Sequence, residues 1–118
     1  ITTDLLIKGE NNAVPLLPGV SSASEVMTIL DHGYARCKFF PAQAAGSFAM
    51  LNALKGPFEQ VKFCPTGGIT QENAKQFLAL SNVMCVGGSW LSPKALINQN
   101  DWQQISQIAK DSLEICQQ

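Results

Sequence analysis

Val61-Lys62-Phe63-Cys64-Pro65-Thr66-Gly67-Gly68-Ile69-Thr70-Gln71-Glu72-Asn73-Ala74-Lys75-Gln76-Phe77-Leu78 is the stretch that decides the fold. Val61 to Cys64 reads as a short buried strand, which Pro65-Thr66-Gly67-Gly68 breaks. Thr70 then offers an N-cap to a helix whose buried stripe carries Ala74, Phe77 and Leu78. This is one strand-turn-helix unit, and it recurs on both sides.

Upstream, Ala13 to Leu17 reads as a strand ended by Pro18-Gly19. Ser22, with Glu25 three residues on, marks the start of a helix carrying Val26, Ile29 and Leu30 to about Gly33. Ala35 to Phe40 is the second strand, closed by Pro41. Ser47 to Leu54 is the next helix, with Met50, Leu51 and Leu54 on one face. Downstream, Val83 to Val86 is a fourth strand ending in Gly87-Gly88-Ser89. The last helix starts at Asp101, with Gln104 in capping-box position and Ile105, Ile108, Ala109, Leu113 and Cys116 on its buried stripe. Four βα units in a row predict an α/β fold with a parallel sheet. Thr3 to Lys8 reads as the tail of a further unit whose strand is absent. A (β/α)8 barrel takes about 250 residues, so the 118 residues are expected to form a single domain, 1–118, that supplies about half of one.

The composition is that of a soluble globular domain. A net charge of -1, scattered rather than blocked, gives no general attraction for nucleic acid or an acidic membrane, so anion binding has to be local. The apolar runs are far shorter than the roughly 20 residues of a membrane helix, and no leader is read. Cys37, Cys64, Cys85 and Cys116 show no C-x-x-C spacing and read as reduced structural thiols, which fits a cytoplasmic location. His32, before Gly33, reads as a helix C-terminal residue. Trp90 and Trp102 are expected to pack the outer layer.

Two features carry chemistry. Lys38, in Cys37-Lys38-Phe39-Phe40-Pro41, is a lysine in an apolar strand. Alternation places it on the face of Phe40 and opposite Cys37 and Phe39. Partial desolvation there is expected to favour the neutral amine and make it a nucleophile for carbonyl compounds. Lys62 also precedes a proline by three residues, and spacing does not choose between the two. The second feature is the pair of turns Thr66-Gly67-Gly68 and Gly87-Gly88-Ser89, which follow the last two strands. Glycines there free backbone N–H groups to face an anion, and a following helix start adds partial positive charge. Barrels commonly bind phosphate between these two loops. Neither turn has the dinucleotide pattern G-x-G-x-x-G.

Taken together, Pro15-Leu16-Leu17-Pro18-Gly19-Val20-Ser21, Lys38-Phe39-Phe40-Pro41-Ala42, Gly56-Pro57-Phe58, Phe63-Cys64-Pro65-Thr66-Gly67-Gly68-Ile69 and Val86-Gly87-Gly88-Ser89-Trp90-Leu91 resemble the 2-keto-3-deoxy-6-phosphogluconate (KDPG) and 4-hydroxy-2-oxoglutarate (KHG) aldolase family. The resemblance implies a class I aldolase on a (β/α)8 (TIM) barrel, of which this chain is the C-terminal half. It implies a homotrimer that acts on a phosphorylated keto acid without metal or other cofactor. It also implies that Lys38 is the Schiff-base lysine and Lys62 a basic residue outside the site. Phe40 and Thr66 would then contact substrate, and Gly67, Gly68, Gly87, Gly88 and Ser89 would form the phosphate pocket. The family's acid/base Glu and carboxylate-binding Arg have no counterpart here, since Glu25, Glu59 and Glu72 match no catalytic motif. Two other readings stand beside it. One is a non-catalytic phosphate-binding half-barrel that pairs with another chain. The other is a different phosphate-binding barrel enzyme such as an isomerase.

Overall fold

The computed structural model describes the backbone of residues 1–117 and the side chains through Glu114. Helix α1 (Thr3–Glu10) begins at Thr2, whose hydroxyl accepts the Leu5 N–H at 3.3 Å, and sinks Leu6 into the core. Strands β1 (Gly19–Val20), β2 (Arg36–Phe39) and β3 (Lys62–Pro65) form a parallel sheet in that order, with helix α2 (Ala23–Asp31) after β1 and α3 (Ser47–Lys55) after β2. Helix α4 (Gln71–Leu78) follows β3. The short α5 (Lys94–Asn98) and the long α6 (Trp102–Gln117) complete the chain.

The helix starts follow their caps. Ser22 holds α2, Thr70 and Asn73 close a capping box on α4, and Asp101 accepts the Gln104 N–H at 3.0 Å. His32 does end α2, and it pairs with Glu10 at 3.4 Å.

One sheet face packs against the helices. Cys37, Phe39, Phe63 and Pro65 are fully buried there, in a core shared with Val26, Ile29, Leu51 and Phe77. The Phe39 and Phe63 rings meet edge to face at 6.2 Å. Burying each large apolar side chain contributes about 1.5–3 kcal/mol, so this layer holds the strands in place. The opposite face carries Lys38 and Cys64, which are only half-buried.

Three expectations are corrected. Ala13 to Leu17 is no strand: Val14 is 72% and Leu17 42% exposed, and pairing starts at Gly19. Pro15 and Pro18 lack the N–H a ladder needs, and Pro18 enters only as an acceptor, from Lys38 N–H at 2.8 Å. Val83 to Val86 joins the sheet only through two isolated parallel bridges, Phe63 to Val83 and Thr66 to Gly87. Three residue steps on β3 are matched by four on its neighbour, and an extra residue of this kind breaks a ladder. Helix α6 is amphipathic as read, but Ala109 is exposed and Leu113 is 61% exposed, while Ile105 and Ile108 are half-buried. Between α4 and α6 runs an apolar groove of about 450 Å³, lined by Ala74, Leu78, Met84, Val86 and Leu113 among others.

Of the cysteines, Cys37 is buried, Cys64 half-buried and Cys85 exposed, all as free thiols. The side chain of Cys116 lies outside the described residues. Trp90 packs over Gly88 and donates to Ser112 Oγ at 3.3 Å, but Trp102 is 56% exposed and packs no outer layer.

Candidate active site

Lys38 is placed by β2. Its backbone N–H donates to Pro18 O at 2.8 Å, and in register it lies between Gly19 of β1 and Cys64 of β3. Its Nζ stands over the Phe40 ring, 4.6 Å from the centroid. Alternation therefore brings Lys38 and Phe40 to one face, as the sequence predicts. Lys62 lies on β3 opposite Arg36, two register positions before the Lys38–Cys64 pair, and its Nζ donates to Ser81 O at 2.8 Å. The two lysines that spacing could not separate thus occupy different surroundings.

A groove of about 390 Å³ beside Lys38 is lined by Gly19, Val20, Ser21, Glu25 and Phe40. Glu25 came from the sequence only as a helix-start residue. Its Oε2 accepts from Ser21 N–H at 2.7 Å, Ser21 Oγ at 3.0 Å and Ser22 Oγ at 3.0 Å. The Ser21 N–H is the chief cause holding this carboxyl below its ordinary range, against the opposing effect of burial. An ionised carboxylate therefore walls the lysine groove at neutral pH. The Ser-x-x-Glu spacing signals a cap, and nothing local in it signals that the cap borders a site.

The second groove, of about 350 Å³, gathers Phe40, Thr66, Gly67, Gly68, Gly87, Gly88 and Ser89, so every residue singled out for anion binding lines one concavity. The bridge from Thr66 to Gly87 joins the two turns. Gly67 and Gly68 take φ of +93° and +76°, a region side chains disfavour. The Gly87 N–H is committed to Pro65 O at 3.0 Å, whereas those of Gly68, Gly88 and Ser89 have no acceptor among the described residues. No lysine, arginine or histidine lines this groove. One expectation is corrected: Gly68 leads into α4, but Gly88 leads only into a three-residue 3-10 turn, Ser89–Leu91, so a second full helix dipole is missing. Thr66 Oγ1 donates to Cys64 O at 3.4 Å and lies 3.8 Å from Cys64 Sγ. Phe40 lines both grooves, and Lys38 lines the first with its Nζ over the Phe40 ring.

Two of the thiols, Cys37 and Cys85, are poor nucleophiles. Burial pushes Cys37 up to about 12, and desolvation with a hydrogen bond to Cys64 pushes Cys85 up to about 11. Among the described residues no group of three or more His, Cys, Asp or Glu comes together to hold a metal ion, and no helix is long and apolar enough to cross a membrane.

The family model for KDPG and KHG aldolase matches residues 1–108. The chain belongs to the KDPG and KHG aldolase family. It is 49% identical to the 2-dehydro-3-deoxy-phosphogluconate aldolase of Pseudomonas aeruginosa over 113 residues, which are 96% of this chain and 51% of that protein. It is 44% identical to the KHG/KDPG aldolase of Escherichia coli K12, covering 97% of this chain and 54% of that one. The crystal structure of the Legionella pneumophila KDPG aldolase, with pyruvate captured at low pH as a covalent carbinolamine, superposes with a TM-score of 0.88. That match has 51% identity and covers 92% of this chain and 52% of the other. The chain thus spans about half the length of the family members it matches. The α/β architecture with a parallel sheet is the family's fold.

Proposed function

We propose that Lys38 is the imine-forming lysine of a class I aldolase that cleaves KDPG to pyruvate and glyceraldehyde 3-phosphate, and 4-hydroxy-2-oxoglutarate to pyruvate and glyoxylate. The observation that carries this reading is the position of Lys38 Nζ, in a solvent-open groove and over the ring of Phe40, which also lines the glycine-turn concavity.

The neutral amine attacks the ketone carbon C2, and loss of water from the carbinolamine leaves a protonated imine. A base takes the C4 hydroxyl proton. The C3–C4 bond breaks with its electron pair drawn into the imine, the aldehyde leaves, and an enamine of pyruvate remains on the lysine. Protonation at C3 and hydrolysis release pyruvate and the free amine. The Phe40 ring attracts cations on its face, so it favours the protonated imine. Gly68, Gly88 and Ser89 offer backbone N–H groups to the phosphate, and Thr66 offers its hydroxyl to the substrate chain. Gly67 and Gly87 shape that pocket.

The family's acid/base Glu and its carboxylate-binding Arg are not among these 118 residues, so the reading needs a further segment to complete the site. Residues 1–118 then form one C-terminal half of a (β/α)8 barrel. The open β1 edge and the half-exposed Lys38 face are where further strands would close it. The complete protein would be a soluble, cytoplasmic homotrimer. Fragment alone, the chain would be a poor catalyst.

The test is borohydride reduction in the presence of pyruvate, followed by peptide mapping. It is run on the chain and on a chimera in which the chain replaces the matched half of the Escherichia coli relative. A pyruvyl adduct on Lys38 is expected. An adduct on Lys62, or none on Lys38 in the chimera, would sink the assignment.

A further inference from the structure

Most glycines of the chain have a reason within it. Gly33, Gly46, Gly67 and Gly68 adopt positive φ, while a Cβ on Gly9, Gly87 or Gly88 would run into Tyr34, Thr66 or Trp90. Gly56, the C-cap of α3, has a helical φ of -65° and open space at its Cβ, but it lies outside the sheet. Gly19 has neither reason. Its φ is not positive, and a Cβ there would meet no atom within 4 Å. Yet it lies inside a strand, where glycine costs backbone entropy and gives up packing, and where it often marks the close approach of a ligand.

Its position is specific. In β1, Val20 is buried and Gly19 exposed; in β2, Phe39 is buried and Lys38 half-buried. Register pairs Val20 with Phe39 and Gly19 with Lys38, so the missing side chain of Gly19 would project on the lysine's face. Both residues line one groove together with Val20, Ser21, Glu25 and Phe40.

We propose that Gly19 is a specificity-determining position: the side-chain space it leaves empty beside Lys38 receives the substituents on the carbonyl carbon, so that 2-keto acids, and not only the smallest aldehydes, can form the imine. The proposal rests on the reading of Lys38 as the imine-forming lysine. Its chemistry is that of the same amine addition and loss of water, and Gly19 supplies only room. A carbonyl carbon bearing two carbon substituents needs that room, whereas formaldehyde bears none.

The experiment compares wild type, Gly19→Ala and Gly19→Val, in the chain and in the chimera, by borohydride trapping with pyruvate and separately with formaldehyde, mapping label on Lys38. Valine suits a strand and its Cβ would meet no atom within 4 Å, so Gly19→Val is expected to keep or raise the melting temperature. Pyruvate label is expected to fall about tenfold or more in Gly19→Val, as for an added methyl in a shaped pocket, and less in Gly19→Ala. Formaldehyde label on Lys38 is expected to stay at the wild-type level. Equal pyruvate label in wild type and Gly19→Val overturns the proposal. So does a lowered melting temperature with loss of both labels, because the space would then serve packing. If wild-type chimera takes formaldehyde but not pyruvate on Lys38, the imine-forming reading itself falls, and this pattern is distinct from either of the others.

Discussion

Lys38 Nζ and the Phe40 ring stand 4.6 Å apart, two residues along one sheet face, with the ring shared by both grooves. Phe40 is 49% exposed, so its packing contributes little and its contact with the cation can be tested separately from the fold. Phe40→Leu is expected to leave the melting temperature nearly unchanged. It should reduce the borohydride-trapped imine about two- to fivefold, the effect of a cation–π contact of about 0.5–1 kcal/mol. Quantifying adduct by intact mass at fixed pyruvate checks it.

Gly68 combines a φ of +76° with a Cβ position that would meet Gln43. Gly68→Ala is expected to destabilise by about 1–2 kcal/mol, the ordinary cost of a left-handed backbone on a residue with a side chain. In the chimera it should also raise KM for KDPG more than for 4-hydroxy-2-oxoglutarate, which has no phosphate. An equal rise for both substrates would remove this turn from the phosphate site.

Glu25 gives a pH dependence with a definite sign. Its folded carboxyl is held below the usual 4.5, chiefly by the Ser21 N–H, so the unfolded chain binds its proton more readily. The stabilisation is therefore present above about pH 4.5 and is lost as pH falls through the lower folded value. Glu25→Gln should cost about 1 kcal/mol near pH 7, discounted for the open groove, and less near pH 3. Urea titrations at the two pH values decide it.

Cys37 acts at the other end of the scale. Burial raises its thiol from 9 to about 12, so the folded state holds a proton that the unfolded state gives up. Stability from this group is full below pH 9 and declines as pH rises toward 12. Cys37→Ala should flatten the alkaline limb of the stability profile, while lowering stability near pH 7 through lost packing. Iodoacetamide is expected to label Cys37 only on unfolding.

Asn82 is buried, and its Nδ2 donates to Leu51 O at 2.8 Å, tying the end of α3 to the segment before the fourth strand position. Asn82→Ala would lose this buried hydrogen bond and should cost about 1–3 kcal/mol. Asn82→Asp, which cannot donate when ionised, should cost more. Thermal melts compare the two.

Local signals carried much of this molecule. The caps at Ser22, Thr70 and Asp101 were legible because an N-cap needs only one short side chain and the next few N–H groups. The buried faces of α2, α3 and α4, the alternation that puts Lys38 with Phe40, and the paired glycine turns were legible for the same reason: each depends on a few consecutive residues. The family motifs were equally readable, being contiguous.

What the sequence did by itself was set the βα rhythm, the helix starts and the lysine beside its aromatic ring. Only the tertiary structure decided which residues pair across strands. It moved β1 beyond two prolines that cannot donate, and reduced the fourth strand to two bridges because one extra residue interrupts the ladder. It left part of the α6 stripe exposed. It also distinguished Lys38 from Lys62 by their surroundings and brought Gly19 and Glu25 into the lysine's groove. Pairing register and burial are properties of segments far apart in the chain, and no local pattern of side chains encodes where they meet.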